Sequence, residues 1–131
     1  MIGLDTNVLI RFFVGDDPGQ TEAARRLMSS LDESRPGFVC REVVLETVWV
    51  LQRTYRMERD RIADALDGLL TAREIVVETA DDIAAAVADW RSGGAGLGDR
   101  MIAAAARRAG AAPLVTFDRR AATLPDADLL S

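Results

Sequence analysis

The 131-residue sequence contains no histidine and no lysine, and the two absences exclude many common catalytic sites. Without histidine, no serine or cysteine nucleophile can have an imidazole base. Without lysine, a Schiff base, a P-loop lysine and a lysine-assisted phosphoaspartate site are all excluded. The groups that remain for acid–base and electrostatic chemistry are carboxylates, arginines, hydroxyls and any metal ion that the carboxylates bind.

Cysteine and long apolar runs are also scarce. The single cysteine, Cys40, cannot form an internal disulfide, which is typical of a reducing compartment. No apolar run approaches the roughly 20 residues of a membrane span, and no basic-then-apolar leader is visible. We therefore expect a cytoplasmic protein without a membrane partner.

The net charge of −5 argues against a general nucleic-acid binder, because contacts with phosphate need positive potential. The objection weakens if several acids gather around one cation. All sixteen basic residues are arginines, and these would then dominate the surrounding surface.

Short apolar segments alternate with helical patterns along the chain. We expect strands at residues 1–4, 38–40, 75–77, 114–117 and 127–130, and helices at residues 7–14, 21–34, 41–55, 60–72, 81–91 and 99–109. This alternation predicts an α/β fold with a central, mostly parallel sheet of about five short strands and helices on both faces. No linker or repeat divides the sequence, so we expect a single domain over residues 1–131. The helix at 41–55 is apolar on most sides, which predicts that it is largely buried.

Four carboxylates lie at positions where a shared site is expected. Asp5 and Asp118 each follow a predicted strand, and ligands gather at the carboxyl ends of parallel strands. Asp99 begins a helix after a run of glycines, which lets the backbone bend tightly. Glu46 lies within the most apolar helix, where an ionised side chain is costly unless it is paired or bound to metal.

Each of these acids also has a purely structural interpretation. Asp5 and Asp99 are possible helix N-caps, Asp118 is a possible turn residue, and Glu46 is a possible partner of an arginine on its own helix. Glu42, one turn before Glu46, is expected to be solvated. Gathered together, the four acids would repel one another, and a hard divalent cation removes that cost. Oxygen ligands without histidine or cysteine suit Mg²⁺ or Mn²⁺ better than Zn²⁺.

Four segments carry a resemblance to a known family: LDTNVLIRF, EVVLETVWVLQRTY, GLGDRMIAAAARRAG and LVTFDRRA. Their order, spacing and context resemble the PIN domain, and most of all its bacterial toxin branch, the VapC toxins of type II toxin–antitoxin systems. The resemblance covers nearly the whole chain. It implies a Mg²⁺-dependent endoribonuclease that hydrolyses RNA phosphodiesters by metal-activated water, with Mn²⁺ able to substitute. It also implies inhibition by a cognate VapB-like antitoxin.

The resemblance assigns roles to particular residues. The acidic quartet that binds metal and catalyses would be Asp5, Glu46, Asp99 and Asp118. Supporting polar residues would be Thr6, Asn7 and Thr116, with helix capping the favoured role for Thr6. Arginines available for RNA phosphates are Arg11, Arg53, Arg100, Arg119 and Arg120.

Two features leave alternatives open. Arg100 stands where the family commonly has a small residue, so an inward side chain would alter metal occupancy and an outward one would contact phosphate. The apolar surface around Trp49, Leu51 and Leu69 suits an antitoxin or a homodimer contact, with core packing as the alternative. The alternative function from another class is a catalytically silent PIN-fold protein-binding module.

Overall fold

The computed structural model describes residues 1–131 and divides into two compact units. The first unit is Met1–Ala80 and the second is Asp81–Ser131. No helix in the structure combines the length and the apolar character needed to cross a membrane.

The first unit is a parallel three-stranded sheet with four helices. Its elements in chain order are β1 (Ile2–Gly3), α1 (Thr6–Val14), α2 (Pro18–Ser30), β2 (Gly37–Val39), α3 (Arg41–Arg53), α4 (Arg59–Thr71) and β3 (Ile75–Val77). The strand order is β1-β2-β3, so β2 is the central strand. Gly37 of β2 pairs with Ile2 on one side and Ile75 on the other. Helical connections between these strands are what parallel pairing requires.

The core of the first unit is built from apolar residues of both the strands and the helices. Leu9, Val39, Leu51 and Ile62 are completely buried. The packing is tight around Gly37, because a Cβ atom there would lie 2.8 Å from Cδ1 of Leu4. Only glycine therefore fits this position of β2 without a shift of its neighbours.

Helix α2 begins and ends earlier than the predicted range of 21–34. Asp17 is its N-cap, since its Oδ1 accepts a hydrogen bond from the backbone N–H of Gln20 at 3.0 Å. Pro18 occupies the first turn, where its missing N–H has no intrahelical partner to lose. The helix ends at Ser30 because Asp32 organises the following residues into a turn, with its Oδ1 accepting backbone N–H groups.

The prediction that α3 is largely buried is wrong. One face is buried, and it consists of Val43, Val44, Thr47, Val48 and Leu51. The opposite face carries exposed residues at helical spacing, which are Glu42, Glu46, Trp49 and Arg53. Trp49 lies on this exposed face and is 57% exposed.

The second unit contains two helices and a pair of parallel strands. Its elements are α5 (Ala80–Trp90), whose first residue still belongs to the first unit, α6 (Leu97–Arg108), β4 (Leu114–Thr116), a 3₁₀ turn (Ala121–Thr123) and β5 (Ala127–Leu129). Strands β4 and β5 pair with Leu114 opposite Ala127 and Thr116 opposite Leu129. The buried residues of the helices include Ile83, Val87, Trp90, Leu97 and Met101.

The predicted α/β class with five short parallel strands is confirmed. The strands form a three-stranded sheet and a separate two-stranded sheet. The single domain over residues 1–131 stays a prediction. Strand β4 ends one residue earlier than predicted, and Phe117, the last residue of the predicted strand, lies outside it and is 77% exposed.

Candidate active site

Asp5 lies at the junction between β1 and α1. It has an extended backbone and acts as the N-cap of α1, with Oδ1 accepting a hydrogen bond from the backbone N–H of Thr6 at 2.8 Å. The carboxylate is exposed. The cap therefore fixes one oxygen of Asp5 and leaves Oδ2 available to a ligand.

The two polar residues after Asp5 differ in burial. Thr6 is only 4% exposed, and its hydroxyl has no hydrogen-bond partner, so the backbone of Thr6 and not its side chain takes part in the cap. Asn7 is exposed in the first turn of α1. The Thr6 hydroxyl therefore does not cap α1, and the supporting roles of Thr6 and Asn7 stay predictions.

Glu46 lies on the exposed face of α3, and the expectation that it is buried is wrong. Glu42 is exposed one turn earlier, as predicted. Further along the same face of α3, the guanidinium carbon of Arg53 lies 5.8 Å from the ring centroid of Trp49, within cation–π range. The carboxylate of Glu46 is thus open to solvent and to cations without a burial cost.

Asp99 lies in the first turn of α6 and is partly exposed. The N-cap of this helix is Gly96, which has no side chain to cap it. A Cβ atom at Gly96 would lie 3.7 Å from Oδ2 of Asp99. At that distance a Cβ atom would make ordinary contact, so space beside Asp99 does not require a glycine at position 96. Since Gly96 is the N-cap, the structural alternative of an N-cap does not apply to Asp99.

Arg100 folds back onto the loop that precedes α6. Its Nε donates to the carbonyl of Ala95 at 3.0 Å, and its Nη2 donates to the carbonyl of Gly93 at 2.8 Å. These bonds fix the glycine-rich loop that leads to Asp99. The Nε and Nη2 atoms of Arg100 thus already donate within the protein, and a contact of Arg100 with RNA phosphate stays a prediction.

Asp118 follows β4 and is held by a small hydrogen-bonded turn. The hydroxyl of Thr116 accepts the backbone N–H of Asp118 at 3.0 Å. Oδ1 of Asp118 accepts the backbone N–H groups of Arg120 at 2.8 Å and Ala121 at 3.2 Å. Asp118 thus resembles Asp5: both follow a parallel strand, and both are fixed through Oδ1.

The structure divides the acidic quartet between the two units. Asp5 and Glu46 belong to the first unit, and Asp99 and Asp118 belong to the second. No three histidine, cysteine, aspartate or glutamate side chains form a group that could hold a metal ion. Binding of one cation by all four acids therefore stays a prediction. The donor set itself fits Mg²⁺, because every member offers exposed or partly exposed carboxylate oxygens.

Arg11, an expected phosphate contact, is engaged in a network of side chains within the first unit. Its Nε donates to Oε1 of Gln20 at 2.7 Å, and its Nη1 donates to Oδ1 of Asp16 and to the Tyr55 hydroxyl, both at 3.2 Å. The Tyr55 hydroxyl in turn donates to Oδ2 of Asp16 at 2.7 Å. This network connects the end of α1, the start of α2 and Tyr55, which follows α3. The guanidinium of Arg11 is therefore less accessible to RNA than that of an exposed arginine.

The hydrogen bond from Tyr55 lowers the pKa of Asp16 below its ordinary value, and the charge of Arg11 lowers it further. Because the folded pKa lies below the unfolded one, the stabilisation is present above about pH 4 and is lost as the pH falls through the folded pKa. We expect Tyr55→Phe to raise the pKa of Asp16 toward its ordinary value, as measured by NMR titration of the carboxyl carbons.

Asp32 supplies the control for that titration. Its pKa is also lowered, but by hydrogen bonds from Ser34 and Arg35. The pKa of Asp32 should therefore be the same in the Tyr55→Phe variant and in the parent. An unchanged Asp16 pKa in the variant would show that the network does not hold in solution.

The remaining expected phosphate contacts, Arg53, Arg119 and Arg120, are exposed. Arg53 lies against Trp49, and the other two follow Asp118 in the turn. These three arginines are the candidates that the structure leaves accessible to a polyanion.

Comparison with known proteins agrees with the fold. The family model of the PIN domain matches residues 2–127, a stretch that runs through both units. No curated protein matches the chain. PIN domains are generally metal-dependent nucleases, so the match supports a nuclease-type fold. Since the match covers almost the full length, the chain belongs to the PIN domain family.

Proposed function

We propose that this PIN domain is the toxin of a type II toxin–antitoxin system and acts as a Mg²⁺-dependent endoribonuclease. The observation that carries the proposal is the family match over residues 2–127. The similarity of the four quoted segments to VapC toxins supports the toxin assignment. In this proposal the protein is cytoplasmic and a homodimer, and a VapB-like antitoxin inhibits it.

The residues proposed to hold Mg²⁺ or Mn²⁺ are Asp5, Glu46, Asp99 and Asp118. The bound cation would acidify a water molecule and stabilise charge on the phosphate. The chain's own contribution is orientation. Backbone N–H groups fix one oxygen each of Asp5 and Asp118, and the Thr116 hydroxyl fixes the backbone of Asp118. Ligands held in this way lose little freedom when they bind.

Substrate binding needs positive charge, which the chain lacks overall. Arg53, Arg119 and Arg120 are exposed and can pair with phosphate oxygens in bidentate geometry. The proposed hydrolysis leaves a 5′ phosphate and a 3′ hydroxyl. A route through the RNA 2′-hydroxyl would commonly use a histidine, and the chain has none.

The apolar surface expected to contact an antitoxin or a second copy is smaller in the structure than the sequence predicts. Leu51 is completely buried and Leu69 is 5% exposed, so both belong to the core. Trp49 alone of the three remains available, on the same face of α3 as Glu46. We propose that a partner covering Trp49 would also cover the Glu46 carboxylate, which is a physical route to inhibition.

The proposal is tested by incubating the purified chain with single-stranded RNA and Mg²⁺. We expect cleavage that stops with EDTA, returns with Mn²⁺, and yields 5′-phosphate ends. Cleavage that persists in EDTA, or that leaves cyclic phosphate ends, would contradict the mechanism. No cleavage under any metal, combined with tight binding of a protein partner, would favour the silent binding module.

A further inference from the structure

Phe117 is the most exposed large apolar residue of the chain, at 77%. It lies between Thr116 and Asp118, directly before a proposed metal ligand. An aromatic ring of this size in water contributes nothing to folding and adds a risk of aggregation. Its position beside Asp118 therefore calls for a role in binding.

The backbone that carries Phe117 is ordered on both sides. Before the ring, the Thr116 hydroxyl accepts the N–H of Asp118, and after it, Oδ1 of Asp118 accepts the N–H groups of Arg120 and Ala121. The carbonyl of Thr116 also accepts the N–H of Leu130 at 2.7 Å. A ring presented by a fixed turn costs little conformational entropy when a ligand binds it.

The charge differs between the two sides of the ring, and only one side favours a polyanion. Arg119 and Arg120 are both exposed and follow within three residues. Val115 and Leu130, 54% and 50% exposed, extend the apolar surface along the two strands. Asp128 pairs with Val115 and adds negative charge to that side. A phosphate chain is therefore expected to run on the arginine side of Phe117.

We propose that Phe117 stacks on an unpaired base of the RNA substrate while Arg119 and Arg120 contact adjacent phosphates. The inference rests on the proposed ribonuclease function and deepens it, because it assigns a base-contacting residue directly before a proposed metal ligand. Stacking on an aromatic side chain is open to any base and is the usual way in which proteins hold single-stranded RNA. A-form duplex keeps its bases stacked on one another and cannot use the ring.

The test measures binding and cleavage separately. Binding of a fluorescent single-stranded RNA oligonucleotide is followed by anisotropy in EDTA, where no cleavage occurs. We expect Phe117→Ala to raise the Kd about 5- to 150-fold, as expected for the loss of one stacked base, and Phe117→Trp to keep the parental Kd. In Mg²⁺, Phe117→Ala should raise the KM with a smaller change in kcat.

Three controls distinguish base stacking from nonspecific hydrophobic binding. Ile102 is 51% exposed on α6 in the same unit, and Ile102→Ala should leave the Kd unchanged. An oligonucleotide with abasic sites should bind the parent and Phe117→Ala equally, since only the base contact is missing. A duplex of the same sequence should also show no difference between the two proteins.

Three outcomes would overturn the inference. One is a Phe117→Ala variant that has the same Kd and KM as the parent. In that case the proposed ribonuclease function still holds if the parent cleaves RNA with Mg²⁺. Another is equal loss of binding in the Phe117→Ala and Ile102→Ala variants. The third is conversion of a dimer to a monomer by Phe117→Ala with RNA binding intact, which would assign this surface to a second copy. A parent that binds RNA through Phe117 but never cleaves it would defeat the proposed function and not the stacking.

Discussion

Replacing Asp5 with asparagine is expected to lower Mg²⁺-dependent RNA cleavage by about 100-fold or more, a loss of the size seen when one key electrostatic group is removed from an active site. The change removes the charge of a proposed ligand at almost constant volume. The cap on α1 survives, because the asparagine side-chain oxygen can still accept the N–H of Thr6. We therefore expect the thermal unfolding midpoint to stay close to that of the parent. The measurement is kcat at saturating Mg²⁺ together with thermal unfolding by circular dichroism.

Asp17→Asn is the matched control for that variant. Asp17 caps α2 in the same unit, with Oδ1 accepting the N–H of Gln20, and has no proposed role in catalysis. Its substitution makes the same chemical change at an equivalent structural position. We expect activity within about two-fold of the parent, since an asparagine cap is as good as an aspartate cap. Equal activity of Asp5→Asn and the parent would show that Asp5 is not a ligand.

The second large effect is expected at Glu46 and not at Glu42. Both carboxylates are exposed on the same face of α3, one turn apart. Glutamine has nearly the helix propensity of glutamate, so neither substitution should disturb the helix. We expect Glu46→Gln to lower cleavage by about 100-fold or more, and Glu42→Gln to leave it within about two-fold. The readouts are kcat and the Kd for Mn²⁺.

Glu42 is a close control for Glu46, because both are exposed glutamates on the same helix. Glu42 lies in the first turn of α3, where loss of its charge costs only a few tenths of a kcal/mol through the helix dipole. That loss affects stability and not the metal. If Glu42→Gln weakens Mn²⁺ binding as much as Glu46→Gln, the wrong turn of α3 has been assigned to the site.

Local sequence pattern predicts much of the fold. The apolar, β-branched run at Ile75–Val77 predicts β3 at the residues where it occurs. The start of α2 is less clear, because Asp17 and Pro18 suit a turn as well as the first turn of a helix. The pattern also does not tell which strands pair. The arrangement of β1–β3 and of β4 with β5 depends on packing between distant parts of the chain.

For the candidate site, sequence places the acids along the chain but not their surroundings. The sequence predicts that Asp5 and Asp118 lie just after strands, because each comes at the end of a short apolar run. The exposure of Glu46 and Phe117 could not be predicted in this way. Residues that are adjacent in the sequence can lie on opposite faces of a helix or a strand, so apolar neighbours in the sequence do not imply burial. The bond between Tyr55 and Asp16 joins residues 39 positions apart, which no local pattern reveals. The sequence alone therefore leaves Arg11 as a candidate contact for RNA, whereas in the structure its side chain is hydrogen-bonded within the protein.

The proposed function depends on the binding of a divalent cation by four carboxylates together, those of Asp5, Glu46, Asp99 and Asp118. Soaking crystals of the protein in Mn²⁺ and mapping the anomalous signal tests this most directly. We expect one or two peaks at roughly 2.0–2.2 Å from carboxylate oxygens of this quartet, with open positions for water and substrate. A map without such a peak, or with manganese bound only by other residues, would contradict it.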